Sequence, residues 1–253
     1  MKLTGKTILI TGGTSGIGFE LAKQLTSQRN TVLITGRDLQ RLAATKSKLP
    51  VHTYLCDVGN PSDIEKLQRT VAADFPYLDV LINNAGIMRN LDLNQQHKLT
   101  DVTRELAVDL NGPIQMVQAF LPQLKARPDA LILNVSSGLA FVPFPLSPVY
   151  SAAKAGVHAY TRALRAQLKQ SNIRVVELAP PGTETPLFRA EFEKEMKGQK
   201  AMNVEALVKQ AISGIESGKT EIRPGLSNVL YILSRIAPRI PFAQMSKMLP
   251  EAS

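Results

Sequence analysis

Apolar positions along the chain follow two alternating rhythms. Short, mainly apolar runs at residues 7–10, 32–35, 51–55, 80–82, 131–135 and 174–178 have the length and character of strands buried on both faces of a parallel sheet. Between them, residues 17–28, 39–48, 64–74, 101–125 and 150–169 carry apolar positions at helical spacing. This alternation predicts a doubly wound parallel sheet flanked by helices and joined by right-handed crossovers. No Pro/Ser-rich linker or internal repeat interrupts it, so residues 1–253 are read as a single domain.

Beyond residue 178 the rhythm changes. Two helical stretches, 186–197 and 204–217, precede a short segment at 221–223, and the insertion 186–217 is placed where a substrate lid would sit. The tail, 225–253, mixes Leu, Ile, Phe and Met with Arg235, Arg239 and Lys247, and Pro238 and Pro241 divide it into two short amphipathic helices. Packing on its own domain or on a sister subunit is preferred for this tail over a peripheral membrane contact. Smaller signals mark helix starts: Asp38 and Ser147 as N-caps, the latter with Pro148 at the first helical position, and Thr100-Asp101 as the cap of the long helix at 101–125.

The chemistry begins at the end of the first strand, where Gly12, Thr14, Ser15, Gly16, Ile17 and Gly18 lie between strand and helix. Glycines there allow a sharp turn and a close approach of backbone N–H groups to a pyrophosphate, with the positive helix N-terminus behind it. The sheet is therefore read as Rossmann-type. After the second strand Arg37 and Asp38 compete for the ribose 2′ position. The guanidinium suits a 2′-phosphate, with Arg41 as a helper, and Asp38 is accounted for as a cap, so NADP is favoured over NAD. Asp57, ending the third strand, is a candidate for the adenine amino group, and Asn83-Asn84-Ala85-Gly86 after the fourth would line the cofactor side of the crevice.

Tyr150 and Lys154 lie four apart on one helix face, a phenol beside a cation able to stabilise its phenolate. Ser137, after the fifth strand, is positioned to hydrogen-bond a reacting oxygen. In their order and spacing, Thr11-Gly12, Gly16-Ile17-Gly18, Asp57, Asn83-Asn84-Ala85-Gly86, Ser137, Tyr150 and Lys154 resemble the short-chain dehydrogenase/reductase family over about residues 4–185. The resemblance implies that Tyr150 is the general acid/base. It implies that Lys154 lowers the tyrosine's pKa and binds the nicotinamide ribose, and that Ser137 orients the substrate carbonyl. It also places Pro180, Thr183 and Thr185 beside the nicotinamide carboxamide and the phosphates. Two positions depart from the family pattern: Asp109 stands where an asparagine usually holds a relay water, and Pro181 stands in the place of a glycine.

The implied activity is NADP-dependent interconversion of a carbonyl and an alcohol. Residues 139–146, with Met88, Phe188 and Phe192, would wall a pocket for a lipophilic small molecule. The alternative is a cofactor-binding regulatory protein with little catalysis, for which Asp109 and Pro181 speak. Helices 101–125 and 150–169 are the expected packing faces of a homodimer or homotetramer.

Composition narrows the field further. A content of 44% hydrophobic and 20% charged residues excludes a disordered or collagenous chain. The lone Cys56 excludes a disulfide framework, and His52, His97 and His158 share no ligand spacing, so no metal is expected. Thirty Lys and Arg against 21 Asp and Glu give +9, with no acid at 130–176 or 222–250, which favours phosphate-bearing partners. With 5% aromatics and no Trp, a nucleic-acid binder is disfavoured. The short apolar run ahead of Gly12 reads as neither signal peptide nor membrane span, and a cytoplasmic location is expected.

Overall fold

A computed structural model describes residues 1–189, 192, 198 and 200–249. Seven strands, β1 (Thr7–Ile10), β2 (Thr31–Gly36), β3 (Val51–Leu55), β4 (Val80–Asn83), β5 (Ala130–Val135), β6 (Ile173–Leu178) and β7 (Glu221–Ile222), form one parallel sheet in the order β3-β2-β1-β4-β5-β6-β7. β1 pairs with β2 on one side and with β4 on the other, Ile8 lying beside Val32 and Val80. Strand order reverses there, and the carboxyl ends of the strands open a crevice where such sheets receive ligands.

The helices are α1 (Gly16–Thr26), α2 (Leu39–Lys46), α3 (Pro61–Asp74), α4 (Gly112–Lys125), α5 (Pro148–Gln167), α6 (Val204–Glu216), α7 (Leu226–Ile236) and α8 (Arg239–Ser246). Alternate strand residues serve opposite layers. Ile8 and Ile10 pack with Leu21 and Leu25 of α1 and with Leu207 and Ala211 of α6. Leu9, Leu81 and Ile132 pack with Val71 of α3, Phe120 of α4 and Leu164 of α5. All six residues of β5 are buried, which is why five of them are apolar; the sixth, Asn134, is satisfied by accepting from Asn83 and donating to Thr161.

Three helix readings need correction. The stretch 101–125 is not one helix: it is divided into Leu99–Val102, Arg104–Leu106, a π-helical turn at Ala107–Asn111, and α4. Thr100 and Asp101 therefore lie inside the first short turn, whose cap is Lys98, and Asp101 instead binds Arg89 at 2.9 Å. Ser147 does occupy the N-cap position with Pro148 opening the helix, as expected, but its hydroxyl makes no cap bond; it donates to the Arg89 carbonyl at 2.8 Å. Asp38 behaves as expected, its Oδ1 accepting the Gln40 and Arg41 N–H groups at 2.9 and 3.0 Å. Of the helix expected at 186–197, Pro186–Arg189 is helical, and most of the remainder lies outside the described residues.

Candidate active site

One cleft of about 990 Å³ runs along the carboxyl edge of the sheet. Gly12, Thr14, Ser15, Gly16, Ile17, Arg37, Asp57, Asn84, Ala85 and Gly86 line it, as do Ser137, Tyr150, Lys154, Pro180, Thr183 and Thr185. Three of the expected residues do not line it. Asn83 is buried at the end of β4, where its amide donates to Asn134 Oδ1 at 2.8 Å. Gly18 lies behind the loop, where an added Cβ would be 2.2 Å from the Gly12 carbonyl oxygen and 2.4 Å from Asn84 Nδ2. Asp109 lies beneath the floor, fully buried.

The glycine loop is fixed from below by a residue that sequence reasoning left without a role. Thr11 Oγ1 accepts the N–H groups of Asn84 and Ala85, both at 3.0 Å. Asn84 Nδ2 donates to the carbonyls of Thr11 at 3.0 Å and Gly12 at 3.2 Å, so this amide clamps the loop to the end of β4. Gly12 has φ +68°, the left-handed region that only glycine adopts at little cost, and a Cβ there would lie 2.8 Å from Ala85 Cα. The result is a rigid concave run of backbone at the start of α1.

At the other end of the cofactor channel, Arg37 is exposed, and among the described residues no carboxylate pairs with it. Asp38 is committed to its cap and lies 3.7 Å from Arg41, so the acid that would compete for a ribose hydroxyl is already engaged. Asp57 Oδ1 accepts the Gly59 N–H at 2.9 Å, which shapes the turn after β3.

Around Tyr150 the structure assembles a buried polar group. Ser137 sits beside the Tyr150 phenol and accepts the Leu139 N–H at 3.1 Å. Lys154 Nζ is 5.5 Å from the Tyr150 ring centre, donates to the Val135 carbonyl at 3.2 Å, and lies 3.5 Å from Asp109 Oδ1. Asp109 also accepts the Ile87 N–H at 3.1 Å. Its carboxyl is pushed up to about 7: burial is the main cause, Lys154 and the Ile87 N–H pull it down, and the nearby Glu105 adds to the rise. The Tyr150 phenol is held well above its ordinary value by burial first and by Asp109 next; the Ser137 hydroxyl opposes this. Lys154 is engaged by Asp109 here, and burial outweighs the depression expected from the lysine.

The π-helical turn is what brings Asp109 to this position. Its extra residue per turn lets Val108 face the cofactor channel while Asp109 points beneath Gly86, where an added Cβ would be 2.5 Å from Asp109 Oδ1. Two further acids carry the surroundings. Glu105, fully buried, accepts the Arg89 N–H at 3.0 Å. Glu177, in β6, binds Ser136 Oγ at 2.5 Å and His158 Nδ1 at 2.8 Å. An acid inside the apolar run Val175-Val176-Glu177-Leu178 was the available signal for the second; the first had none.

The substrate end is apolar. Leu139 and Phe144 reach the cleft with Met88, Phe188 and Phe192. Within 139–146 the others do not: Phe141, Val142 and Pro143 face a separate hollow beside Pro238 and Phe242, and Leu146 is buried behind Phe144. Their place is taken by Leu226, Leu230, Met245 and Met248 from the tail, which the sequence reading did not assign to the pocket.

Residues 6–196 match the family model for short chain dehydrogenase. The chain belongs to that family. It is 39% identical over 224 residues to an uncharacterized oxidoreductase, DltE, of Bacillus subtilis, covering 88% of this chain and 89% of the relative. It is 33% identical to the NADP-dependent 3-hydroxy acid dehydrogenase YdfG of Salmonella typhi, over 81% and 85% of the two chains. A solved short chain dehydrogenase from Burkholderia cenocepacia, in complex with NADP, shares the fold with a TM-score of 0.83 at 23% identity, over 97% and 99% of the two chains. As a short chain dehydrogenase the protein is an oxidoreductase, with the glycine loop and the Tyr150 cluster lining one cleft.

Proposed function

We propose that this dehydrogenase uses NADP to interconvert a carbonyl and an alcohol on a lipophilic small molecule, with Tyr150 as the general acid/base. The observation that carries the reading is the single cleft joining an unpaired Arg37 at one end to Tyr150, Ser137 and Lys154 at the other. The residues present fit a phosphorylated dinucleotide: the cradle at Gly12 has no room for a side chain, and the acid beside Arg37 is used elsewhere. The NADP dependence of the Salmonella relative and the NADP bound in the Burkholderia structure support the same cofactor.

Thr14, Ser15, Gly16 and Ile17 would meet the pyrophosphate, Arg37 the 2′-phosphate, and Asp57 the adenine. Ala85, Gly86, Pro180, Thr183 and Thr185 would surround the nicotinamide half. When bound, the dinucleotide supplies or accepts the hydride.

The side chains of this protein do the rest. Ser137 Oγ accepts the Leu139 N–H, so its own proton is available to a substrate oxygen. Tyr150, protonated at neutral pH as an ordinary phenol is and held so more firmly by burial, donates to that oxygen as negative charge develops on it. The phenolate left behind faces Ser137 and the Lys154 ammonium, and Asp109 holds the lysine in place from below. The insertion between β6 and β7 covers the substrate: Thr183 pairs with Met202, and Leu187, Phe188 and Phe192 close the apolar end.

Thermal unfolding with NADPH, NADP, NADH and NAD in parallel tests the cofactor. A ligand at 100 times its dissociation constant stabilises by about 2.7 kcal/mol. Selective stabilisation by the phosphorylated pair is expected; no shift with any of the four overturns the reading. Turnover of a lipophilic carbonyl panel by the wild-type protein but not by Tyr150→Phe is expected next. The Lys154–Asp109 pairing and the raised phenol favour a second reading, a dinucleotide-binding regulator, which would show cofactor stabilisation with equal, negligible turnover by both proteins.

A further inference from the structure

The family match ends at residue 196, and the tail beyond β7 presents a surface that the cleft does not explain. α7 buries Ser227 and Leu230 against the domain. Its opposite side exposes Leu226, Val229, Ile232 and Ile236, at spacings of three and four that align them in one stripe. Ile240 and Phe242 of α8 are exposed as well. An exposed apolar stripe of this kind marks an interaction face.

The rim of this face is basic. Arg223 and Arg235 stack on the Tyr231 ring at 3.7 and 3.9 Å, which fixes two guanidinium groups beside the stripe. Arg239 and Lys247 are exposed nearby, and residues 222–250 contain no acid. Arg223 is bridged to Glu221 across the rim; the other three have no ion pair among the described residues. A two-fold contact between copies would bring one basic rim against another, with no acid in residues 222–250 of either copy to separate them. An anionic lipid surface meets both features, its acyl region taking the stripe and its headgroups the arginines. Among the described residues no helix is long and apolar enough to cross a membrane, so the contact is in the interface plane.

We infer that α7 and α8 form a docking face for an anionic bilayer, seated beside the mouth of the cleft. Leu226 belongs to both surfaces: it is 58% exposed on the stripe and also lines the cleft. Docking thus sets the apolar end of the cleft against the lipid.

The test is flotation of the full-length protein with vesicles of phosphatidylcholine alone or mixed with phosphatidylglycerol, across a salt series. Neither cofactor nor turnover is required, so the outcome is separate from that of the oxidoreductase reading. Wild type is expected to float with the phosphatidylglycerol vesicles, less so as salt rises, and not with phosphatidylcholine alone. Arg239→Gln should weaken binding about fivefold, as expected for one basic group at a charged surface. Ile236→Glu should weaken it by about tenfold or more through loss of apolar burial. Both variants should keep the wild-type thermal shift with dinucleotide, since neither residue lines the cleft. Failure of the wild type to float with anionic vesicles overturns the inference, as does flotation of both variants equal to wild type. If sedimentation velocity shows a dimer that Ile236→Glu dissociates while vesicles are ignored, the face belongs to a second copy and the lipid assignment falls.

Discussion

Asp109→Asn isolates the buried carboxyl beneath Gly86. In the folded protein this group is pushed from 3.8 up to about 7, chiefly by burial, whereas in the unfolded chain it returns to its ordinary value. Between about pH 4 and pH 7 the fold holds a proton that the unfolded chain has released, so stability falls as pH rises through that window and stays lower above it. A gap of about three units corresponds to about 4 kcal/mol. Asparagine does not titrate, and the other carboxyls are common to both proteins. Subtracting urea-unfolding free energies measured from pH 4 to pH 8 should therefore show the variant gaining on the wild type, by up to about 4 kcal/mol across the window. A flat difference would refute the raised carboxyl. A variant that loses ground as pH rises would mean the reverse, that Lys154 holds Asp109 ionised in the fold. Because Asp109 raises the Tyr150 phenol, the same variant should move any alkaline limb of activity to lower pH.

Three further outcomes are expected. Tyr150→Phe should cut turnover by about 10²–10⁴-fold while leaving dinucleotide-induced thermal stabilisation intact, as measured by steady-state rates beside a thermal shift. Arg37→Gln should weaken NADPH binding by about 10–100-fold and leave NADH binding unchanged, since one charge-assisted contact is removed; isothermal titration with both cofactors checks this. Gly86→Ala would set a methyl 2.5 Å from Asp109 Oδ1 and 3.5 Å from Lys154 Nζ, and should destabilise by about 1–3 kcal/mol in urea titration.

Where the sequence was legible, one local rule decided the outcome. Five of the six longer strands follow from apolar runs that a two-faced parallel sheet demands, while β3, at the sheet edge, buries only Val51; Asp38 sits at its cap because its carboxylate outcompetes water for two backbone N–H groups. The glycine loop was legible for the same reason: Gly12 adopts a backbone angle that other residues resist. Legibility failed where partners come from far along the chain. Nothing near Ser147 announces that its hydroxyl will serve the Arg89 carbonyl, 58 residues away, and not cap its own helix. Met245 and Met248 join Phe144 and Phe192 only because α8 folds back over the substrate end, a contact without local signature. The 101–125 stretch has helical periodicity throughout, and periodicity alone does not reveal that Ala107–Asn111 winds at a wider pitch. Glu105 and Asp109, both fully buried, are the price of that winding, and an acid on a helix otherwise reads as a solvated face.

The π-helical turn also gives this part of the chain a tolerance of length that its neighbours lack. A π-turn carries one more residue than the α-turn it interrupts, spread over nearly the same rotation. Deleting a single residue from 107–111 would let the winding revert to the ordinary pitch with its flanks facing much as before, whereas a deletion within α4 would turn everything on its N-terminal side by about 100°. What the deletion would remove is the displaced carboxyl: Asp109 would leave its place beneath Gly86, and the Ile87 N–H and the Lys154 ammonium would lose the acceptor they share. At this point a change of length acts as a change of chemistry.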